Sequence, residues 1–340
     1  MKTFLIIILF AGSILAEEVE EKEKLVGEIE FFGYAGVDLL KLKEALPFEE
    51  GEVFKIEEEG QLAEILQETE ISVFETLNRR ASDIAPVCCD RSGNWMIYIG
   101  LSGKTSAYHP QPIDEEKELP EDFIELYERF EIELEDAIRR GAAQEDQSMG
   151  YALSVDPPLR KTQLDMRDIA LEHEEILLDV LKNAAEAKQR IAAAEILGYA
   201  KQSKRQFEAF VYAARDAEPH VRNNATRALW ILAGSNPDLA AEVPTEFYID
   251  MLLSKKWSDI NKASLVLYSI TERDSEEVLE RLRRKDIVER LSEMARWRTW
   301  HADYARYLLG RLAGIEEERL ELLVKSGQTE EIFDGLILQK

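Results

Sequence analysis

Two adjacent cysteines, Cys88 and Cys89, are the only thiols in the chain and the most obvious residues for redox chemistry. A reactive thiol needs an electropositive setting, and Asp90 follows directly, although Arg91 comes next. Neighbouring side chains on a strand point to opposite faces, and a ring that joins two adjacent cysteines is strained. The sequence therefore favours one buried and one exposed thiol in a strand, with a redox role as the alternative.

Metal and acid–base chemistry have less support than thiol chemistry. The four histidines are His109, His173, His220 and His301. None lies in an H-E-x-x-H motif or at zinc-ligand spacing from a cysteine, and no G-x-S-x-G, P-loop or dinucleotide motif is present. Carboxylates are abundant, but a hydrolytic site between two domains would need two of them buried with shifted pKa values. The sequence thus predicts no catalytic residue, no metal and no cofactor.

A cluster of aromatic and basic residues near the C-terminus has the composition of a binding site. It comprises residues 297–301 with Tyr304, Arg306 and Tyr307, and its candidate binding residues are Trp297, Arg298, Trp300, Tyr304 and Arg306. Trp, Tyr and Arg dominate the energetics of protein interfaces, which favours a partner-binding role. Aromatic side chains also carry large apolar areas into cores, so the alternative is that Trp297 and Trp300 bridge the last helices.

The cluster belongs to a region in which helical patterns recur in pairs. The small residue within the second helix of each pair is Ala193, Ala225, Ala263 or Ala305. These alanines recur about every 30–45 residues, in the range of helical-pair repeats. Residues 121–140 form another strongly periodic stretch, residues 141–161 have the Gly and Pro content of a loop, and residues 315–340 are expected to form a capping helix.

One stretch, residues 216–234, has a specific family likeness. It begins D-A-E-P-H-V-R, and Ala225, Leu229 and Leu232 then share a helical face with Val221. This resembles the second helix of a HEAT repeat. The resemblance implies an all-α, HEAT-like solenoid (an α-α superhelix) over residues 164–314, within a helical domain of residues 121–340, and a function in protein binding.

The family's arginine is present in only two of the four pairs. It stands at Arg190 and Arg222, whereas Ile260 and Ala302 replace it later, so the resemblance implies a partial Asp–Arg ladder. Second helices usually line the concave face of a solenoid. Their basic residues, with Arg227, Lys262 and Arg306 among them, predict a basic surface for an acidic or extended polypeptide. The alternative is that they form solvated i,i+4 pairs with nearby acids.

Residues 26–103 predict a small α+β domain with the order strand, helix, helix, strand, strand. The predicted strands are residues 26–32, 84–89 and 95–101, and the predicted helices are residues 39–46 and 61–80. This order of elements, together with the sequence segments I-E-F-F-G and A-L-P-F-E-E-G-E-V-F, resembles a POTRA domain. POTRA domains are envelope modules that add a strand of polypeptide to a sheet edge. The resemblance implies a chaperone-like or assembly role through an edge at residues 26–32 or 95–101; an unrelated α+β domain is the alternative.

The beginning of the chain predicts export to the periplasm or the exterior. Residues 1–16 combine Lys2, an apolar segment and a small-residue cleavage site, as in a signal peptide. The apolar segment is too short to span a membrane, so no stable insertion is expected after cleavage. Residues 17–25 form an acidic leader, and residues 104–120 are rich in proline and predict a linker.

The overall charge is strongly negative. The net charge of −26 opposes binding to phosphate backbones, so nucleic acid is not an expected partner. The sequence as a whole predicts an exported, non-enzymatic binding or scaffold protein whose partner is a protein or peptide.

Overall fold

The computed structural model describes residues 25–54, 60–105, 108–142, 144–272 and 276–338. The predicted signal peptide and residues 17–24 of the predicted leader lie outside these ranges. Among the described residues, no helix combines the length and apolarity that crossing a bilayer requires.

The N-terminal part is a three-stranded sheet with two helices, in the predicted order of elements. The elements are β1 (Val26–Phe32), α1 (Leu39–Glu44), α2 (Gln61–Leu77), β2 (Asp83–Cys88) and β3 (Trp95–Gly100). Strand β3 lies in the centre, parallel to β1 and antiparallel to β2. Helix α1 begins where predicted because the Asp38 carboxylate accepts a hydrogen bond from Lys41 N.

Side chains alternate between the two faces of the sheet along each strand. Both faces carry buried side chains, which belong to two different cores. One face packs against α1 and α2 and carries Ile29, Phe31, Ile97 and Ile99. The opposite face carries Phe32, Met96 and Tyr98, which join the core of the following helices. The sheet is therefore a middle layer whose second face rests on the C-terminal helices.

In the described residues that follow the sheet, the regular elements are helices and one short β-hairpin. Helix α3 (Glu121–Arg139) precedes this hairpin of β4 (Glu145–Asp146) and β5 (Leu153–Ser154). The helices that follow are α4 (Pro157–Glu172), α5 (Glu174–Asn183), α6 (Ala187–Leu197), α7 (Lys204–Ala213), α8 (Pro219–Ser235), α9 (Pro237–Ala240), α10 (Thr245–Met251), α11 (Trp257–Thr271), α12 (Glu276–Leu282), α13 (Lys285–Ala295), α14 (Ala302–Leu312), α15 (Glu317–Ser326) and α16 (Thr329–Leu338).

These helices pack as successive pairs. Helix α5 packs on α6, α7 on α8, α10 on α11 and α13 on α14. The second members also contact one another in sequence, α6 with α8, α8 with α11, and α11 with α14. The four alanines expected inside these second helices, Ala193, Ala225, Ala263 and Ala305, are all fully buried.

Two predictions of local structure are wrong. The predicted loop of residues 141–161 contains the β4–β5 hairpin and the first turn of α4, which the Asp156 carboxylate caps by accepting from Leu159 N. Pro157 fits that first turn because its missing N–H has no partner there in any case. The predicted capping helix of residues 315–340 is two helices, separated by Gly327 at φ 70°.

The predicted linker, residues 104–120, crosses the turns of three successive helix pairs. Lys104 forms an isolated β-bridge with Ser254. His109 N donates to Arg215 O at 2.7 Å, and Ala185 N donates to Asp114 O at 3.0 Å. The described residues of this segment therefore pair their backbone with the helical region, which fixes the path of the chain from the sheet back to α3.

Candidate functional site

Arg190 and Arg222 are internal ion-pair residues, each with only 1% of its surface exposed. Arg190 holds Asp216 through Nε and Nη2 at 2.8 and 2.9 Å, and Arg222 holds Asp259 at 2.9 and 3.0 Å. Each arginine also donates to two carbonyls of the turn before its own helix. The prediction that they line a binding surface is therefore not supported, since neither side chain reaches solvent.

Arg227 and Lys262 belong to a mixed-charge cluster. Arg227 pairs with Glu145 of β4 at 2.5 and 2.6 Å, and Glu195 lies 3.8 Å away. Burial, with the nearby Arg227 charge, lowers the pKa of Lys262 to about 8, although Glu145 and Glu195 oppose the shift. Burial also raises the pKa of Glu195. Two acids offset these two bases, so the cluster is not a basic docking surface.

Trp297 lies in the core, as the alternative interpretation predicted. It is 1% exposed, its ring packs 5.1 Å from that of Tyr98, and its Nε1 donates to Phe31 O at 2.9 Å. Tyr304 packs beside Tyr268, with 5.5 Å between the ring centres. Trp297 is therefore not free to anchor a partner, whereas Tyr304 is half-buried against another ring.

A buried polar group lies under this region, between the sheet and the start of α14. The Tyr98 hydroxyl is 2.7 Å from His301 Nδ1 and 2.8 Å from Thr299 Oγ1. Trp257 covers both rings, stacking on Tyr98 at 4.8 Å and meeting the edge of His301 at 5.0 Å. Burial, with a smaller effect of the Lys262 charge, lowers the pKa of His301 from 6.5 to about 3.

This shift predicts a specific loss of stability in acid. The unfolded chain binds a proton at His301 below pH 6.5, whereas the folded protein does not until about pH 3, so protonation favours unfolding across that window. The contribution of neutral His301 to the free energy of unfolding is complete above pH 6.5. It decreases as the pH falls and is about 2 kcal/mol smaller at pH 5. In urea titrations at pH 7.5 and 5.0, His301→Asn should lack this loss; an equal loss in both proteins would contradict the burial argument.

The remaining predicted residues, Arg298, Trp300 and Arg306, line one cleft of about 670 Å³. Its walls come from β1, from the β2–β3 turn, from α14 with the turn before it, and from the end of α15. The other lining residues are Glu28, Asp90, Arg91, Ser92, Thr299, Asp303, Tyr307, Val324, Lys325, Ser326 and Gly327. We call this space the Trp300 cleft, and it joins the sheet to the last helices.

Trp300 has an open surface in this cleft. Its ring lies 3.7 Å from that of His301, while 41% of the residue is exposed. Arg306 is fixed by Asp303 at 2.9 Å and by the carbonyls of Ala295 and Trp297. The ring beside Trp300 is also held, since His301 Nδ1 lies 2.7 Å from the Tyr98 hydroxyl, and such fixed neighbours suit a preorganised contact surface.

Arg298 is also held in place. It reaches Glu30 at 3.3 Å and pairs with Glu50 through both terminal nitrogens. Burial raises the pKa of Glu30, although Arg298 opposes the shift. This arginine ties the turn before α14 to the sheet, so its main contacts are internal.

Sequence reasoning missed Glu28 and Arg91 as members of this site. Both lie in segments that were predicted correctly as a strand and a hairpin loop, but no local pattern shows which helices these segments meet. Arg91 is exposed, and Glu28 has a buried carboxylate oxygen without a hydrogen-bond partner in the described structure.

The cysteines and the sheet edges differ from expectation. Cys88 and Cys89 are bonded to each other at the end of β2, so the predicted pair of separate thiols is not found. Strand β3 is central, and the outer edge of β1 is covered where Glu50 accepts from Ile29 N at 2.9 Å. Neither predicted docking edge is therefore open; the outer edge of β2, which contains Pro86, has no strand partner among the described residues.

The described residues include no group of three or more His, Cys, Asp or Glu side chains placed to hold a metal ion. The arrangement in the Trp300 cleft is one of fixed charges around an exposed aromatic ring, which can bind but has no recognisable nucleophile–base pair. No protein-family model matches the chain, and no curated protein sequence matches it.

Proposed function

We propose that this chain is an exported, non-enzymatic binding protein that holds a polypeptide partner in the Trp300 cleft. The observation that carries the proposal is Trp300 itself, 41% exposed in the wall of a cleft of about 670 Å³. Ligand pockets typically have volumes of about 300–1,000 Å³ and often lie where two structural units meet. Export rests on the signal-like residues 1–16.

The proposed scaffold for this cleft is a HEAT-like superhelix. Support comes from the two equivalent ion pairs, Arg190 with Asp216 and Arg222 with Asp259, which link one helix pair to the next. The arginines occupy corresponding positions near the starts of α6 and α8, as the repeat resemblance implies. Stacking of this kind would make the helices beside the cleft rigid, because each helix pair buries its apolar face against a neighbouring pair.

Removing the Trp300 ring should strongly reduce partner capture. Central tryptophans of interfaces typically contribute at least about 2 kcal/mol, or roughly 30-fold in Kd. Wild-type protein and Trp300→Ala would be compared as baits in affinity capture from an envelope extract, with recovered proteins quantified by mass spectrometry.

Ile113→Ala is the matched control, since Ile113 is a large apolar residue that is 89% exposed in the segment 104–120. We expect it to retain full capture. Equal recovery by the wild type and Trp300→Ala, or no reproducible macromolecular partner of the wild type, would overturn the proposed function.

A further inference from the structure

Lys262 carries an amine that no side chain holds in the described part of the molecule. The residue lies on α11 and is partly buried, and no hydrogen bond or ion pair joins its Nζ to another described residue. The fully buried side-chain atoms that lack a partner among these residues do not include this Nζ, so the amine still meets solvent. Burial penalises an ammonium ion that has no carboxylate partner.

The charged groups around this amine are engaged with one another. Glu145 of β4 accepts from Arg227 at 2.5 and 2.6 Å, and Glu195 of α6 lies 3.8 Å from the same guanidinium. Arg227, on the neighbouring helix α8, therefore holds both carboxylates while its own charge acts on Lys262. His301, at the start of α14, also interacts with Lys262 but is neutral near pH 7. The amine thus lies beside a cation and lacks a carboxylate of its own.

This setting favours the neutral, nucleophilic form of the amine. A lysine becomes a nucleophile when it is desolvated or placed beside another cation. Burial, with the charge of Arg227, lowers the pKa of Lys262 to about 8, although Glu145 and Glu195 oppose the shift. At pH 7 about one such amine in ten is neutral, against about one in 2,500 for a lysine with the usual pKa of about 10.4.

The neighbouring acids discriminate among the electrophiles that an amine attacks. Carbon dioxide would leave a carbamate anion near Glu145 and Glu195, where like charges repel, and acylation would remove a positive charge that these acids stabilise. An aldehyde gives an imine instead, and the protonated imine keeps the positive charge of the lysine. Burial raises the pKa of Glu195, so this carboxyl retains its proton to higher pH and can pass it to a departing hydroxyl.

We propose that Lys262 is a covalent modification site that takes small, uncharged aldehydes as imines. The Nζ lone pair attacks the carbonyl carbon, the C=O bond is replaced by a C=N bond, and the oxygen leaves as water with the two amine protons. Neither reactant is oxidised or reduced, so the step needs no further reagent. The residues that line the Trp300 cleft do not include Lys262, so this site is additional to the proposed function and does not depend on it.

The test labels the full chain with propanal and cyanoborohydride, which reduces each imine to a stable secondary amine. Peptide mapping by mass spectrometry gives the labelling rate at each lysine, with the exposed Lys201 as internal reference. At pH 7 Lys262 should react at least about tenfold faster than Lys201, because its larger neutral fraction outweighs the weaker nucleophilicity of a less basic amine. The ratio should fall between pH 7 and pH 10, since an amine of the usual pKa gains neutral form up to about pH 10.

Arg227→Met should remove most of this preference, because it deletes the neighbouring cation and frees Glu145 and Glu195 to pair with Lys262. Arg205→Met, the same change in an exposed ion pair, should leave the ratio unaltered. A wild-type rate at Lys262 no higher than at Lys201, or a ratio that stays constant with pH, would overturn the inference. That comparison needs no variant, so it stands even if Arg227→Met folds poorly. An undiminished ratio in folded Arg227→Met would overturn it equally.

Discussion

Arg222→Ala is expected to lower the free energy of unfolding by about 3–5 kcal/mol, because it leaves the buried Asp259 carboxylate without its cationic partner. Asp259 is 1% exposed and, among the described residues, would keep side-chain hydrogen bonds only from Tyr108 and Ser254, each at 2.6 Å. The guanidinium also donates to the carbonyls of Asp216 and Ala217, which would lose a donor. Urea unfolding followed by circular dichroism measures the loss.

Arg205→Ala provides the matched control, because it removes the same side chain from an exposed pair. Arg205 binds Glu175 on the outer surface, where solvent screens the charges. We expect no measurable change in its urea midpoint. If the two substitutions had similar effects, the ion pair of Arg222 would not be a structural element of the helix stack.

The role of Arg222 could be predicted from the sequence only in part. The repeat-like sequence of residues 216–234 predicted Arg222 at the start of a helix, and its resemblance to a repeat implied an Asp–Arg ladder. The partner carboxylate is Asp259, 37 residues away on α11, and its burial depends on how two helix pairs stack. The local pattern therefore identified the residue but could not separate an internal ladder from a basic binding surface.

The Trp300 cleft was less predictable for the same physical reason. Helix and strand positions follow from local periodicity, and the order of β1 to β3 agreed with expectation. The cleft exists because the second face of the sheet packs on the C-terminal helices, which brings Glu28 and Arg91 to Trp300. Periodicity along a strand shows that a face is apolar, but not which distant helix covers it.

The two tryptophans of the turn between α13 and α14 show how burial separates structure from recognition. Trp297 is 1% exposed and Trp300 is 41% exposed, although the sequence offered both as binding residues. Trp297 contacts Tyr98 and donates to the Phe31 carbonyl, so it joins the sheet to the helices. Trp300 covers His301 on one side and is open to the cleft on the other.

Trp297→Ala should therefore destabilise the fold by about 3–5 kcal/mol, the usual cost of removing a buried aromatic side chain. The empty space would loosen the contact between the sheet and α13, and the Phe31 carbonyl at the outer edge of β1 would lose its donor. Hydrogen exchange should show the β1 amides losing protection before those of α6 and α8. Trp300→Ala, the same change three residues later, should alter stability by about 1 kcal/mol or less. Similar destabilisation by both variants would mean that Trp300 is also a core residue, and the Trp300 cleft would then have no exposed anchor for a partner.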